Sequence, residues 1–334
     1  MGQASSILSQ SFFIPSPPLT IDTLPDQTGR VHIVTGGYAG VGKELARILY
    51  SRNATVYIAG RSSEKYNAAL TDIQHAAPSS TGKLDFLQLD LSDLPTVSAA
   101  AAAFMAKESR LDVLYNNAGV MVPAAGSVTA QGHELQMGTN CLGPFLLSTA
   151  LLPVLRSTAQ TSPPGSVRVT WAGSIGVQVA TPKYGVQLGP DGPEIDPNPW
   201  LNYGMSKAGN FFLGSEFARR YGREGIVSAS FNPGNLRSEL QRHMGWIGRA
   251  ILLMGCYHAE FGAATELYAG CSPDIGLERN GVYVMPWGQI GTEKLRPDVL
   301  EAAKGKEEGG KGLASEFWDW CEKETRAYTI SEKL

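Results

Sequence analysis

The stretch that most constrains this chain is Val31-His32-Ile33-Val34-Thr35-Gly36-Gly37-Tyr38-Ala39-Gly40-Val41-Gly42-Lys43-Glu44-Leu45-Ala46. A short apolar run ends in glycines, and a helix-forming segment follows at once. A dinucleotide phosphate needs this context. Glycines let the backbone turn tightly and approach a pyrophosphate, and the helix N-terminus presents N–H groups and a positive dipole end. The spacing Gly36-x3-Gly40-x-Gly42 differs from the common G-x-G-x-x-G form. By itself it also suits a plain strand-to-helix turn, so the rest of the chain has to decide.

Behind the turn, strands and helices alternate. Apolar runs predict strands at 31–35, 54–59, 84–89, 112–115, 167–172, 226–231 and 281–285, with helical patterns at 42–51, 94–107, 134–157 and 203–221. Such alternation argues for βαβ units and a parallel sheet, and right-handed crossovers make it doubly wound. The expectation is one α/β domain over residues 29–295 with a mainly parallel seven-stranded sheet. Residues 1–28 read as an N-terminal arm, in which Pro15, Pro17, Pro18 and Pro25 exclude a regular helix. Residues 296–334 read as a helical extension packed on the same domain, because Leu313, Phe317, Trp320 and Cys321 recur at helical spacing.

Polar residues cluster just after the strands, on the edge where open α/β sheets bind ligands. After the second strand comes Ile58-Ala59-Gly60-Arg61-Ser62. An NAD enzyme usually has a carboxylate there for the ribose 2′-OH. Arg61 stands instead, and a guanidinium matches a 2′-phosphate, so the expected cofactor is NADP, with Ser62 or Lys65 assisting. The segment 175–202 holds five prolines, Pro182, Pro190, Pro193, Pro197 and Pro199. It reads as a loop, either beside a substrate cleft or as an exposed insertion. Tyr203 and Lys207 then share a helix face. A phenol is a poor acid–base catalyst at neutral pH, and a neighbouring ammonium lowers its pKa.

A formal net charge of −3 leaves no electrostatic footprint for nucleic acid. Cys141, Cys256, Cys271 and Cys321 are scattered without a C-x-x-C pair, which argues against zinc and suits a reduced compartment. His243 and His258 have no partner spacing that suggests a metal. No apolar run is long enough to span a bilayer, and no basic region precedes a signal-like stretch. The expected location is cytoplasmic. Met1-Gly2-Gln3-Ala4-Ser5-Ser6 fits the myristoylation pattern at Gly2, and a single acyl chain would give weak membrane-peripheral association.

Together these residues resemble the short-chain dehydrogenase/reductase family, most closely its retinol-dehydrogenase-like members. The matching positions are Thr35-Gly36-x3-Gly40-x-Gly42, Asp90-Leu91, Asn116-Asn117-Ala118-Gly119, Asn140, Ser174, Tyr203-x3-Lys207, and Asn232-Pro233-Gly234 followed by Ser238, in the family's order. The resemblance implies a single Rossmann-like domain. It implies that Thr35, Gly36, Gly40, Val41 and Gly42 shape the phosphate turn. Asp90, with Leu91, would contact the adenine. Asn117, Ala118 and Gly119 would border the cofactor's central region, and Pro233 and Gly234 would pass the nicotinamide. Tyr203 would donate a proton to the developing alkoxide, and Lys207 would lower its pKa and hold the nicotinamide ribose. Ser174 would bind the substrate carbonyl, and Asn140 would hold a water that resupplies protons. Ser174 stands where many members have two serines, here Gly173-Ser174.

The family's substrate lid would fall at about 235–260. Its apolar residues Leu240, Met244, Trp246, Ile247, Ile251, Leu252, Leu253 and Met254 suit a lipophilic substrate, contact with a membrane surface, or the protein's own core. The expected function is hydride transfer between NADP(H) and a small-molecule carbonyl or secondary alcohol. Alternatives are a cofactor-binding scaffold without turnover, or alkene reduction or cyclisation at the same site. A homodimer or homotetramer through the helical stretch 134–155 or the C-terminal helix fits the family pattern.

Overall fold

The computed structural model describes residues 3–12, 14–236 and 256–329. The apolar runs pair into one eight-stranded sheet in the order β10-β9-β8-β5-β4-β1-β2-β3. These strands are β1 Val31–Thr35, β2 Thr55–Gly60, β3 Lys83–Gln88, β4 Val113–Asn116, β5 Val167–Ala172, β8 Ile226–Phe231, β9 Tyr283–Met285 and β10 Gln289–Ile290. β6 Leu188–Gly189 and β7 Gly192–Pro193 form a separate small hairpin. All neighbours in the main sheet are parallel except β9 and β10. The central strands β1, β4, β5 and β8 are buried along their whole length. Covered on both faces, they read as unbroken apolar runs. The expected seven strands become eight because β10 is a two-residue return after Gly288, too short to have a period.

The chain runs outward through β1, β2 and β3, then crosses back to lay β4 on the other side of β1. That reversal opens a crevice at the C-terminal edge. One face of the sheet is covered by α2 Gly40–Ser51, α3 Ser63–Ala76 and the helix Ala259–Cys271. The other is covered by α4 Leu94–Lys107, α6 Gly143–Ala150 and α9 Pro199–Tyr221. Asp112 ties β1 to β4 at the opposite edge, accepting from Val31 N at 2.9 Å and pairing with Arg30 and Arg110.

Three expectations change. The arm is not free of helix: α1 spans Gln3–Ser11, ahead of the first proline, while Leu19 and Leu24 beyond it are buried in the core. Prolines forbid a helix interior but say nothing of the residues before them. The single helix expected at 134–157 is broken into α5 Leu135–Met137, a π turn Gly138–Leu142, α6, and α7 Leu152–Gln160. Pro144 and Pro153 begin the last two pieces, and the resulting bend is 51°. Finally α9 starts before Tyr203, where Asn198 accepts from Trp200 N at 3.0 Å and Pro199 takes the first turn.

The segment 175–202 is tied down. It carries α8 Gly176–Val179 and the small hairpin, and Arg296 donates to Thr181 O, Thr181 Oγ1 and Pro182 O at 2.8–3.1 Å. The C-terminal helix Leu313–Thr325 buries Ala314, Phe317, Trp318, Cys321 and Thr325, with Leu313 and Trp320 at its margin. Phe317 meets Phe212 of α9, and Trp318 meets Phe145 of α6 edge-on at 4.8 Å. The apolar faces of α6 and the C-terminal helix, on which a subunit contact was expected, are therefore filled from within the chain. Among the described residues no single helix is long and apolar enough to cross a membrane. Gly2, Ser238 and the apolar run 240–254, His243 included, lie outside the described residues. His258 is the exposed residue that precedes the helix Ala259–Cys271.

Candidate active site

At the crevice a cleft of about 600 Å³ is lined by Thr35, Gly36, Gly40, Val41, Arg61, Asp90, Leu91, Asn117, Ala118 and Gly119, all expected from the sequence. The turn that forms it needs glycine. Gly36 and Gly40 sit at φ +67° and +53°, in the left-handed region. Gly42 does not line the cleft. A Cβ there would lie 2.5 Å from Asn117 Nδ2 and 2.8 Å from Gly36 O, so its role is to let α2 close onto the turn. Thr35 Oγ1 donates to Tyr115 O at 3.1 Å and accepts from Ala118 N at 2.9 Å, and Asn117 Nδ2 donates to Thr35 O at 2.7 Å. These bonds lock the ends of β1 and β4 together.

The cleft fits a dinucleotide on its own chemistry. Ala39, the residue that caps α2, has no side-chain acceptor, so the first-turn N–H groups of α2 are not satisfied by a side chain. They face the glycine turn as a pyrophosphate would require. At the outer end Arg61 is more than half exposed, with Nη1 3.9 Å from Asp90 Oδ2. Asp90 Oδ1 is engaged by Ser92 N and Oγ at 2.9 and 2.6 Å. Ser62 and Lys65 also line this end. Tyr38 was not singled out from sequence. Its ring fills the space where a Cβ on Gly60 would stand, and its hydroxyl accepts from Arg61 N at 3.3 Å. The signal was present as a glycine at a strand end, but its partner lies in another turn.

Ser174, Tyr203, Lys207, Pro233 and Gly234 do not line this cleft. Gly119 is the junction, because a Cβ there would lie 3.4 Å from Lys207 Nζ and 2.9 Å from Asn140 Oδ1. Lys207 Nζ donates to Ala172 O at the end of β5 at 2.8 Å and stands 5.7 Å from the Tyr203 ring centre. Asn210, one turn on, donates to the same carbonyl at 2.7 Å. Tyr203 and Ser174 meet over Gly176, whose Cβ would lie 3.3 Å from the Tyr203 ring and 3.5 Å from Ser174 Oγ. Ser174 Oγ accepts from Gly176 N at 3.1 Å, and Tyr283 donates to Ser174 O at 3.0 Å. Asn140 sits in the π turn. Its amide pairs with Val120 N and O at 2.8 and 3.0 Å and with Ser206 Oγ at 3.0 Å. Such turns are frequent at functional sites. Val41 and the Pro233 carbonyl are neighbours across Gly262.

Burial dominates the electrostatics. It raises the Tyr203 phenol above its ordinary pKa, while a hydrogen bond from Ser174 pulls it down. It lowers Lys207 to about 8. It also raises Glu266, on the opposite face of the sheet, far above the usual carboxylate range, with Lys207 pulling the other way. Neither Glu266 oxygen has a hydrogen-bond partner. Among the described residues no group of three His, Cys, Asp or Glu could hold a metal.

A second hollow of about 500 Å³ joins the first through Pro123, Ala124 and Ser127, and Val128 and Ile195 line it. Trp200, one turn before Tyr203, stands edge-on to its ring at 6.5 Å.

Comparison with known proteins agrees with this geometry. The short chain dehydrogenase family model matches residues 30–167. A short-chain dehydrogenase/reductase of Neocamarosporium betae is 43% identical over 331 residues, covering 98% of this chain and 95% of its own. One of Phomopsis amygdali is 44% identical, covering 95% of each chain. Among solved structures, the RhlG/NADP active-site complex of Pseudomonas aeruginosa is 26% identical and superposes with a TM-score of 0.59 over 78% of this chain and 95% of that one. The turn, the strand-end residues and these relatives agree: the chain belongs to the short-chain dehydrogenase/reductase family of NAD(P)-dependent oxidoreductases.

Proposed function

We propose that the chain is an NADP(H)-dependent oxidoreductase acting on the carbonyl or secondary alcohol of a lipophilic small molecule. The observation that carries this reading is the meeting of Tyr203 with Ser174 and Lys207. The nicotinamide, when bound, supplies or accepts the hydride. Every other role falls to the chain. Ser174 Oγ donates to the substrate oxygen and stabilises the charge that develops there. Burial keeps the Tyr203 phenol protonated at neutral pH, ready to give its proton to that oxygen. Lys207 holds the ribose and favours the phenolate that results. The Asn140 side chain is occupied by Val120 and Ser206, so the water it would hold falls to its backbone in the π turn. Arg61, with Lys65, supports NADP over NAD, as does the NADP in the Pseudomonas aeruginosa relative.

The lipophilic substrate is supported by the rim. Val128, Val179, Ile195 and Trp200 are large apolar residues left exposed, and they lie beside the second hollow or within a turn or two of Ser174 and Tyr203. Exposed apolar side chains beside the site suit a lipophilic ligand. A homodimer or homotetramer would need a surface other than the apolar faces of α6 and the C-terminal helix.

The test is NADPH consumption, with NADH alongside, against steroid, retinoid, aromatic ketone and polyketide-like carbonyls. Tyr203→Phe should keep NADPH binding and lose turnover by about 10²- to 10⁴-fold. A fully active Tyr203→Phe enzyme would show that the proton comes from elsewhere.

A further inference from the structure

The N-terminal helix α1 is polar in sequence, Gln3-Ala4-Ser5-Ser6-Ile7-Leu8-Ser9-Gln10-Ser11, yet Gln10 is only 1% exposed. It is buried against the catalytic end of the sheet, more than two hundred residues away in sequence. Its Oε1 accepts from Asn232 Nδ2 at 2.9 Å, and Asn232 is itself 1% exposed. Asn232 Oδ1 in turn accepts from Gly234 N at 3.0 Å. One amide therefore spans from α1 to the backbone of the Asn232-Pro233-Gly234 segment, where Gly234 is held at φ +93°.

Three more contacts fasten the same helix to the site. Gln178 Nε2, in α8 just after Ser174, donates to Ser6 Oγ at 3.2 Å. Asn235 Nδ2 donates to Ser11 Oγ at 3.3 Å, and Tyr257 donates to Ser11 O at 3.2 Å. Gln10 Nε2 closes the set by donating to Ser6 Oγ at 3.2 Å. One helix thus bonds to the segments that follow both β5 and β8.

We propose that α1 is a fixed wall of the substrate end of the active site, and that Gln10 is a positioning residue that sets the Asn232-Pro233-Gly234 segment. The inference rests on the proposed oxidoreductase reading, since that segment matters because it would pass the nicotinamide and the reacting carbon. An amide fits the task. Its oxygen orients the Asn232 amide so that the Asn232 oxygen faces Gly234 N, and its nitrogen keeps Ser6 in place. A leucine of similar size fills the space and does neither.

The experiment uses the full chain carrying Gln10→Leu or Gln10→Glu; the glutamate keeps the acceptor for Asn232. Three quantities are read: kcat and KM for a carbonyl substrate, the NADPH dissociation constant, and amide exchange in peptides covering 174–180 and 232–236. Gln10→Leu should lower kcat/KM for the carbonyl about tenfold or more, leave NADPH binding within about twofold, and speed exchange in both peptides. Gln10→Glu, which keeps the oxygen that Asn232 donates to but loses the donor to Ser6, should fall between Gln10→Leu and the wild type. The proposal is overturned if Gln10→Leu keeps wild-type kcat/KM and exchange. It is equally overturned if exchange rises throughout the protein and NADPH binding falls in step, which marks a merely structural residue. If the wild type itself reduces no carbonyl, the oxidoreductase reading fails, and exchange at 174–180 and 232–236 still decides whether Gln10 sets those segments.

Discussion

The choice between NADPH and NADH rests on one side chain, and its weight can be worked out. Arg61 is 59% exposed in its side chain, so its field reaches a 2′-phosphate largely through water. Two unit charges at about 4 Å are worth about 1 kcal/mol in bulk water and about 4 kcal/mol at an effective dielectric near 20. A phosphate monoester carries a charge of about −1.5 to −2. Discounted for exposure, the pair is worth about 2–3 kcal/mol, or about 30- to 150-fold in kcat/KM. Arg61→Ala should therefore cut kcat/KM for NADPH by that factor and leave NADH nearly unchanged. Asp90, 3.9 Å from the guanidinium, opposes the phosphate, so Asp90→Asn should favour NADPH slightly further. Arg61→Lys keeps the charge without the planar fork and should fall between. The assay is initial rates with each cofactor at two ionic strengths, since an exposed pair weakens with salt. A wild-type enzyme that prefers NADH, or an Arg61→Ala enzyme that loses both cofactors equally, would refute the reasoning.

Two further expectations concern the fold beneath the site. Gly42→Ala pushes a methyl group against Asn117 Nδ2 and Gly36 O, and should weaken NADPH binding at least tenfold by titration while the melting temperature falls by only a few degrees. Glu266 has its pKa raised by burial in the folded chain. The native state then holds a proton that the unfolded state has released, so stability is greatest below the unfolded pKa and falls as pH rises, by about 1.4 kcal/mol per pH unit. His32 is also buried without a partner, and burial lowers it to about 3. Its contribution has the opposite slope, lost as pH falls from 6.5 toward 3. Urea titrations should show that Glu266→Gln removes the downward contribution, so that its stability gains on that of the wild type as pH rises above the unfolded carboxylate range of about 4.3. Equal slopes in the two proteins would mean that Glu266 is already ionised.

What could be read from sequence divides by distance along the chain. Gly36, Gly40 and Arg61 announce themselves because a local backbone or charge requirement leaves few alternatives, and each lines the cleft. Tyr203 and Lys207 are one helical turn apart, so helix geometry alone brings them together. The π turn at 138–142 and the breaks at Pro144 and Pro153 were hidden inside an apolar period that runs straight through them. The docking of α1 was beyond reach for another reason. Its partners Asn232, Asn235 and Tyr257 are more than two hundred residues away, and a run of serines and glutamines carries no apolar stripe to predict burial.

The placement of Tyr203 depends on helix α9 more than on any single bond to Tyr203. Glycine weakens a helix interior by about 1 kcal/mol relative to alanine, yet Gly204 and Gly209 sit within this one. At Gly204 a Cβ would collide with the carbonyl of Ala180, and at Gly209 it would press on Phe317 and Cys141. The helix gives up intrinsic propensity so that the 175–202 segment and the C-terminal helix can approach on two sides. On a third side Lys207 and Asn210 both donate to Ala172 O. Rotation of α9 about its axis would break both bonds and open both contacts at once. Tyr203 is thus set by packing around the whole helix, and this explains why segments as distant as 296–325 are fastened to it. Alanine at Gly204 should then cost more activity than its loss of stability accounts for, because the displaced 175–180 backbone carries Ser174 at its edge.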